Sequence, residues 1–321
     1  MPTTTFFTPV SDQIRSVEAR MRAMSNGHHP DLKKALDHLL SSGGKRIRPA
    51  VALLTGGMLG ADPERLITLA AAIEMLHTAT LVHDDLIDGS LLRRGNPTLN
   101  AQWTPAATVL TGDFIFARAA KLAAETDSVE VMRLFAETLS TIVNGEITQM
   151  FAGRNSVHRE EYFKRIYAKT ASMFELATTA AAVLSPLGDE VINAVRKYGY
   201  ATGMAFQIID DVLDFTGEQD MVGKPVASDL RQGLITLPTI FYYETHPDDP
   251  DLKLVLNGIY FDETRLARLT AAILGSDAIK KAVAEAGKLA NQAMDALQDL
   301  PRTAEQQALE ELANYIVNRH R

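Results

Sequence analysis

Two acidic clusters with the same spacing are the residues of this sequence most able to do chemistry. The cluster DDLID spans residues 84–88 and the cluster DDVLD spans residues 210–214, each after an apolar stretch. On a helix, residues four apart lie about 40° apart around the axis, so one turn presents three carboxylates toward a common point. Packed carboxylates repel one another and persist best when cations lie among them. The duplicated pattern therefore predicts one shared metal site, with the ligands Asp84, Asp85, Asp88, Asp210, Asp211 and Asp214.

The type of donor atom selects the metal and indicates the ligand. Carboxylate oxygens favour hard cations, and Mg²⁺ usually joins one or two carboxylates to the phosphates of a substrate. Aspartates at the C-terminal end of a helix are unfavourable without compensation, because that end carries partial negative charge. The acidic clusters therefore predict a phosphorylated ligand that is held through Mg²⁺.

Basic residues near the clusters predict a site for a second anionic group. The segment GGKRIRP supplies Lys45 and Arg48 where a helix begins, which is a favourable place for a phosphate. Arg93 and Arg94 follow the first cluster within one loop, and His77 lies seven residues before that cluster on the same helical face. A protein of negative net charge that has short basic segments beside its acidic clusters is expected to bind an anionic ligand together with metal ions.

Composition narrows the class of protein. The 321 residues are 46 % hydrophobic, and no Pro-, Gly- or Ser-rich linker divides them, so we expect one domain over residues 1–321. A net charge of −8 argues against a nucleic-acid partner. The absence of cysteine excludes disulfides and thiolate chemistry.

The sequence also predicts where in the cell the protein is found. The N-terminal residues lack the positive start and the long apolar core of a signal peptide. No run approaches the roughly 18 apolar residues of a membrane-spanning helix. We therefore expect a cytoplasmic protein without a transmembrane segment.

Helical periodicity dominates the chain, and nothing alternates strongly enough to require a sheet. The predicted fold class is all-α, with two long helices that carry the aspartates at their C-terminal ends. Asp62, Ser276 and Thr303 are predicted N-terminal caps. The predicted helices cover Asp12–Met24, Asp31–Ser41, Ile47–Leu59, Pro63–Ile87, Pro105–Glu125, Val129–Ala152, Arg159–Leu184, Asp189–Phe215, Leu230–Thr245, Glu263–Leu274, Asp277–Leu297 and Ala304–Asn318.

Five segments in this order resemble the trans-isoprenyl diphosphate synthases, also called polyprenyl synthetases, and most closely their long-chain members. They are GGKRIRP at 43–49, the stretch 77–95 with the first cluster, KTA at 169–171, the stretch 203–214 with the second cluster, and GKP at 223–225 before Asp229. A single DDxxD string is weak evidence, whereas five segments in the correct order are very specific. The resemblance covers nearly the whole chain. It implies a helical bundle of the isoprenoid-synthase type around a deep central cavity, a homodimer, and about three Mg²⁺ ions for each active site.

The resemblance also implies a reaction and a set of roles. The reaction is the head-to-tail (1'-4) condensation of isopentenyl diphosphate with an allylic diphosphate, which gives a trans-polyprenyl diphosphate. Mg²⁺ ions on the six aspartates would hold the allylic diphosphate, while Arg93, Lys169 and Lys224 add positive charge. Isopentenyl diphosphate would bind Lys45, Arg48, His77 and Arg94. The dipoles that stabilise the allylic cation would come from Thr170, Gln207 and the backbone around Lys169. The implied catalytic residues are Asp84, Asp85, Asp88, Lys169, Thr170, Gln207, Asp210 and Lys224.

One position departs from the family pattern. Many members have GKxTLP after the second cluster, where this chain has GLITLP at residues 233–238. Leu234 therefore stands where those members have a lysine, and one diphosphate contact of the farnesyl-type enzymes is absent. This departure weakens a farnesyl assignment more than it weakens the family.

The chain length of the prenyl product depends on the residues that precede the first acidic cluster on the same helix. Positions four and five before Asp84 lie roughly 6 to 8 Å along the helix from it. They hold Thr80 and Ala79, which are small, whereas a Phe or Tyr would close the cavity after two or three isoprene units. We expect a product longer than farnesyl, from geranylgeranyl (C20) up to C30–C50 chains, from a deeper pocket. Candidates for its floor are Leu76 and the residues Ile142, Glu146 and Met150.

Three other functions share part of this pattern. A class I terpene cyclase also ionises an allylic diphosphate, but its second metal motif usually mixes Asn, Ser or Thr with Glu. A non-catalytic subunit of a heteromeric prenyl synthase tends to lose aspartates, and all six are present here. A carboxylate di-iron bundle needs two Glu-x-x-His pairs on separate helices, and this chain offers the string EMLH at 74–77 alone.

Overall fold

The computed structural model describes residues 5–24, 26, 29–41, 44–93, 95–152, 156–217, 226–259 and 262–319. These ranges are almost entirely helical, so the all-α prediction is confirmed. A 3₁₀ turn (Thr5–Val10) precedes the first helix, and a π-helical turn (Tyr167–Ala171) joins the eighth to the ninth. The helices are α1 (Ser11–Ala23), α2 (Pro30–Ser41), α3 (Ile47–Met58), α4 (Pro63–Ile87), α5 (Leu99–Gln102), α6 (Pro105–Ala124), α7 (Val129–Ala152), α8 (Arg159–Ile166), α9 (Ser172–Val183), α10 (Asp189–Thr216), α11 (Ser228–Arg231), α12 (Leu237–Thr245), α13 (Pro250–Leu256), α14 (Glu263–Gly275), α15 (Ala278–Ala296) and α16 (Ala304–Asn318).

The predicted caps hold the starts of three helices. The Asp62 carboxylate accepts a hydrogen bond of 2.9 Å from the Arg65 amide, and Pro63 occupies the first helical position. The Thr303 hydroxyl accepts from the amide of Gln306 at 3.2 Å. The Ser276 hydroxyl likewise accepts from the amide that opens α15.

Three predictions of local structure were wrong. The predicted helix Leu230–Thr245 is two helices, α11 and α12, because Gly233 takes a left-handed φ of 72° and ends the first. The predicted helix Arg159–Leu184 is interrupted by the π-helical turn. No helix was predicted between Thr245 and Glu263, but α13 (Pro250–Leu256) forms there, and Asp249 caps it by accepting from two backbone amides.

A short antiparallel ladder follows α4, although no sheet was predicted. Strands β1 (Leu92–Arg93) and β2 (Asn96–Pro97) pair two residues each. Gly95 at the turn has a φ of 78°, which a residue without a side chain adopts readily. Two-residue strands are too short to show alternation in sequence, so the pattern gave no signal.

The chain divides into two compact units. The first contains Met1–Glu137, Met173–Arg196 and Asp299–Glu311, and the second contains Thr138–Ser172, Lys197–Gln298 and Leu312–Arg321. The first aspartate cluster belongs to the first unit and the second cluster to the second. The expectation of one domain over residues 1–321 stays a prediction.

Helix α4 is the centre of the first unit. It packs against α3 and α6, and its residues from Leu66 to Leu76 are buried without interruption. Its 18-residue window of mean hydropathy 1.4 is long and apolar enough to cross a membrane, which corrects the expectation that no segment passes this test. Because 83 % of that window is buried within the protein, we interpret α4 as a core helix.

Candidate active site

The first aspartate cluster lies at the C-terminal end of α4, as predicted. The helix ends at Ile87, and Asp88 follows as its C-cap, with its amide 2.8 Å from the carbonyl oxygen of Asp84. Asp84 is half-buried, Asp85 is 7 % exposed and Asp88 is exposed. The buried body of α4 therefore fixes the position of three carboxylates whose access to solvent differs.

Arg93 neutralises the most buried aspartate of this cluster. Its Nε lies 2.9 and 3.0 Å from the two carboxylate oxygens of Asp85, and its Nη2 lies 2.8 Å from Oδ1. Arg93 lies on β1, shortly after the end of α4 in the sequence. The resemblance assigns Arg93 to a diphosphate, and in this structure its charge is paired with Asp85.

Two of the predicted isopentenyl diphosphate ligands lie together. Nη1 of Arg48, on α3, lies 3.2 Å from Nε2 of His77, on α4. The Arg48 guanidinium also stacks over the ring of Phe174 at 5.2 Å, which restricts its orientation. Lys45 is exposed just before α3 begins. The packing of α3 against α4 thus brings together a basic pair whose two residues are half-buried.

Arg46 holds the loop that presents these basic residues. It has a left-handed φ of 47°, which is uncommon for a residue with a side chain. Its guanidinium donates to Glu74 at 2.8 Å, to Glu18 at 3.0 Å and to the Leu40 carbonyl oxygen at 3.0 Å. Burial disfavours the charged form, but the two carboxylates outweigh it and raise the pKa of Arg46. Three partners therefore fix the chain just before α3.

The second cluster contains a buried hydrogen-bonded network around Asp211. This side chain is 4 % exposed. Its Oδ2 accepts from the Tyr162 hydroxyl at 2.7 Å, and its Oδ1 accepts from Nε2 of Gln207 at 2.8 Å. The Thr170 hydroxyl donates to Oε1 of Gln207 at 2.6 Å. The predicted residues Thr170, Gln207 and Asp211 are thus joined in one chain of contacts.

The surroundings of Asp211 perturb its acidity. Burial and the negative charge of Asp229 raise the pKa of Asp211 to about 8, against the opposing effect of its two hydrogen bonds. Burial and Asp211 in turn raise the pKa of Tyr162 well above its usual value, so the phenol keeps its proton. The hydrogen bonds from Tyr162 and Gln207 therefore favour the ionised form of Asp211, whereas burial and Asp229 favour its protonated form.

The two outer aspartates of the second cluster have different partners. Asp210 lies 2.6 Å from Nη2 of Arg319, which follows α16. The carboxylate of Asp214 accepts from the amide and hydroxyl of Ser228 at 3.1 and 2.8 Å, and from the amide of Asp229 at 3.1 Å. Asp214 therefore joins the end of α10 to the start of α11.

Lys169 lies in the π-helical turn beside Thr170. Its Nζ lies 3.1 Å from Oε1 of Glu146 on α7. A π-helical turn is rare and occurs frequently at functional sites. Glu146 was predicted as a candidate floor of the product pocket, and here it is the counter-ion of Lys169.

The predicted chain-length residues are buried inside the first unit. Leu76 and Ala79 are 0 % exposed and Thr80 is 8 % exposed, with its hydroxyl 2.8 Å from the His77 carbonyl oxygen. Of the candidates on α7, Ile142 is buried, whereas Met150 is 57 % exposed. The pocket itself stays a prediction.

Several predicted residues lie outside the described part of the chain, and several described contacts were not predicted. Arg94 and Lys224 lie outside the described residues, as does Gly43. Tyr162 and Arg319 were missed, because each meets an aspartate that is far away in the sequence. A groove of about 500 Å³, lined by Tyr242, His246 and Lys281 among others, contains none of the predicted site residues.

The donor set of the two clusters fits Mg²⁺. Among the residues that the structure describes, no three His, Asp or Glu side chains lie close enough together to hold a metal ion by themselves. Mg²⁺ usually binds through one or two carboxylates together with waters and substrate phosphates, so it does not need such a group. The half-buried Asp84 and the exposed Asp88 can supply carboxylate oxygens of this kind.

Comparison with known proteins decides the family. The family model described as polyprenyl synthetase matches residues 29–274. The chain is also 36 % identical over 321 residues to a prenyl transferase of Synechocystis sp., a match that covers 99 % of this chain and 98 % of that protein. The chain belongs to the polyprenyl synthetase family. This membership confirms the predicted isoprenoid-synthase fold and the prediction of a prenyl-transferring enzyme of the trans-polyprenyl diphosphate synthase class.

Two further comparisons describe its neighbours among the polyprenyl synthetases. Heptaprenyl diphosphate synthase component 2 of Geobacillus stearothermophilus is 34 % identical, and the match covers 97 % of both chains. A crystal structure of a polyprenyl synthase from Caulobacter crescentus, complexed with calcium and isoprenyl diphosphate, is similar with a TM-score of 0.93. That chain is 33 % identical, and the match covers 99 % of this polyprenyl synthetase and 98 % of the other.

Proposed function

We propose that this polyprenyl synthetase condenses isopentenyl diphosphate with an allylic diphosphate in a Mg²⁺-dependent 1'-4 reaction. The product is a trans-polyprenyl diphosphate longer than farnesyl. One observation carries the proposal: the chain retains all six aspartates, in two clusters at the C-terminal ends of two long helices, α4 and α10. The relative solved with a divalent cation and an isoprenyl diphosphate supports the same pairing of ligand and metal.

The aspartates and basic residues serve the leaving diphosphate. Asp84, Asp88 and Asp210 would hold the metal, because carboxylate oxygens match its preference. When bound, Mg²⁺ stabilises the negative charge that develops on the departing diphosphate. Lys169 adds a cation whose present partner, Glu146, is a single carboxylate. Arg93, Arg94 and Lys224 are proposed for the same role.

The basic pair on α3 and α4 suits the second substrate. Arg48 and His77 lie 3.2 Å apart, and Lys45 is exposed nearby in the sequence. Together they provide the positive charge and N–H donors that a diphosphate group requires. We assign isopentenyl diphosphate to this pair.

Thr170 and Gln207 would stabilise the allylic cation. The Thr170 proton is donated to Gln207, so the lone pairs of its oxygen stay available to a positive charge. Carbon–oxygen cleavage leaves the electron pair on the diphosphate, and the alkene of isopentenyl diphosphate then forms the new carbon–carbon bond. The proton that leaves next goes to the released diphosphate, so this reaction needs no side-chain base.

Small buried residues support a long product. Ala79 and Thr80 lie one helical turn before Asp84 and carry no bulky side chain. A relative with 34 % identity is named for heptaprenyl diphosphate. We therefore propose a product in the C30–C50 range, with the tail passing these two residues.

We propose a homodimer that works in the cytoplasm. Helix α6 exposes Val109 at 41 % and Leu110 at 68 %, and an apolar surface of this kind favours association. The net charge of −8 makes a nucleic-acid partner unfavourable. Light scattering coupled to size exclusion tests the dimer.

The purified chain alone should show the activity. Labelled isopentenyl diphosphate is incubated with geranyl, farnesyl or geranylgeranyl diphosphate, and the products are dephosphorylated and compared with prenol standards by chromatography. We expect metal-dependent products longer than C15. No product with any primer would contradict the proposal and would favour a chain that acts only together with a second polypeptide.

A further inference from the structure

Tyr162 lies at the end of the buried network in the second unit, and no predicted role includes it. It is 1 % exposed, and its hydroxyl donates to Oδ2 of Asp211 at 2.7 Å. The other oxygen of Asp211 is held by Gln207, which is itself held by Thr170. Both oxygens of this carboxylate therefore have protein donors.

The hydrogen bonds of Tyr162 and Thr170 connect one continuous segment of the chain, α8 and the π-helical turn after it, to α10. Tyr162 lies on α8 and Thr170 lies in the π-helical turn that follows it. In a regular α-helix, residues eight apart differ by about 80° around the axis. A π-helical turn rotates less for each residue, because its hydrogen bonds span five residues instead of four. It therefore brings both hydroxyls toward the same side, and both reach the network on α10.

The hydrogen bond from the Tyr162 hydroxyl to Asp211 favours a specific role for this tyrosine over simple packing in the core. A phenylalanine would fill the same space, but it would leave a buried carboxylate oxygen without its donor. Tyr162 thus fixes the orientation of Asp211, which lies directly beside Asp210 in the chain.

We infer that Tyr162 is a positioning residue, which holds the second aspartate cluster in a fixed place relative to Lys169 and Thr170. It acts through Asp211 and Gln207 and does not touch the substrate. The inference rests on the proposed function, because the residues that it positions are those assigned to the allylic diphosphate and the cation.

The test compares Tyr162→Phe with a matched control, Tyr242→Phe. Tyr242 is also a buried tyrosine of the second unit, and its hydroxyl donates to Asp249 at 2.8 Å, outside the network. Both variants lose one hydrogen bond from a phenol to a carboxylate. We expect Tyr162→Phe to lower kcat about 10- to 100-fold and to raise the Mg²⁺ concentration needed for half-maximal rate. The KM for isopentenyl diphosphate should stay unchanged, and Tyr242→Phe should keep a kcat within about twofold of the parent.

A double variant shows whether Tyr162 acts through Asp211. Asp211→Asn and Tyr162→Phe with Asp211→Asn should have the same kcat, since the contact is already altered in the first. This pair leaves no buried carboxylate without its donor, so it stays informative if Tyr162→Phe alone does not fold. Equal kcat values for Tyr162→Phe and Tyr242→Phe, or a further loss in the double variant, would overturn the inference. A parent enzyme that makes no prenyl product would instead contradict the proposed function, whatever the variants do.

Discussion

The ammonium group of Lys169 lies 3.1 Å from the carboxylate of Glu146. Glu146 is mostly shielded, with 19 % of its side chain exposed, while Lys169 is 40 % exposed. Lys169 is assigned to the allylic diphosphate, so it must exchange one anionic partner for another during binding. On the proposed function, Glu146 would therefore compete with the substrate for Lys169.

Replacing Glu146 by glutamine should tighten binding of the allylic diphosphate. A partly exposed ion pair contributes about 1 kcal/mol or less, so we expect the KM for the allylic substrate to fall about two- to fivefold. Steady-state kinetics with each substrate varied in turn measures this change. Glu137→Gln, which alters an exposed ion pair with Arg133, is the control and should leave both KM values unchanged. A higher KM in Glu146→Gln would show that Glu146 positions Lys169 for binding.

Ala79→Phe should shorten the product. Ala79 is completely buried one turn before Asp84, so a benzyl group there would fill the proposed tail path. Chromatography of the prenols should show C15–C20 chains in place of longer ones. Ala70→Phe is the control, because Ala70 is also 0 % exposed and lies about 180° around the same helix. The same product distribution in the parent and Ala79→Phe would refute the tail path.

Arg46→Met should destabilise the protein by about 3–5 kcal/mol, because it leaves the carboxylate of Glu74 buried without its partner. Urea denaturation followed by circular dichroism measures the loss. Arg46→Met combined with Glu74→Leu removes the whole pair, and this double variant should recover most of the stability. Equal stability of the single and double variants would show that Glu74 finds another partner.

Much of this architecture can be predicted from local sequence. Asp62 and Pro63 predict the start of α4. The Asp62 side chain caps the helix, and a proline is well accommodated at the first helical position. The C-terminal position of both aspartate clusters follows from the apolar stretches before them. These signals are local, and the structure agrees with them.

Contacts between distant residues could not be predicted in this way. The bond from Tyr162 to Asp211 joins residues 49 positions apart, and Arg319 meets Asp210 from the far end of the chain. A single tyrosine or arginine that belongs to no spaced motif gives no indication in the sequence of which residue it contacts. The π-helical turn was also missed, because one inserted residue leaves the hydrophobic period almost unchanged.

Asp84→Ala and Asp210→Ala should each lower turnover at least about 100-fold, because each removes a proposed metal ligand. Their effects on stability should differ. Asp84→Ala removes one charge from a crowded acidic cluster and should change the free energy of unfolding by less than about 0.5 kcal/mol. Asp210→Ala leaves the buried Arg319 without its carboxylate and should destabilise by about 1–2 kcal/mol. Turnover assays and thermal unfolding of both variants measure these quantities, and full activity in either would remove that aspartate from the mechanism.

Calorimetric binding of a non-reactive thiodiphosphate analogue of farnesyl diphosphate measures metal-bridged capture by the two clusters without any turnover. The parent enzyme should bind the analogue with Mg²⁺ and lose it in EDTA, and Asp84→Asn and Asp210→Asn should each weaken the Mg²⁺-dependent binding at least about tenfold. Binding that is equally tight without metal, or that is unaffected by one of the two substitutions, would contradict the account.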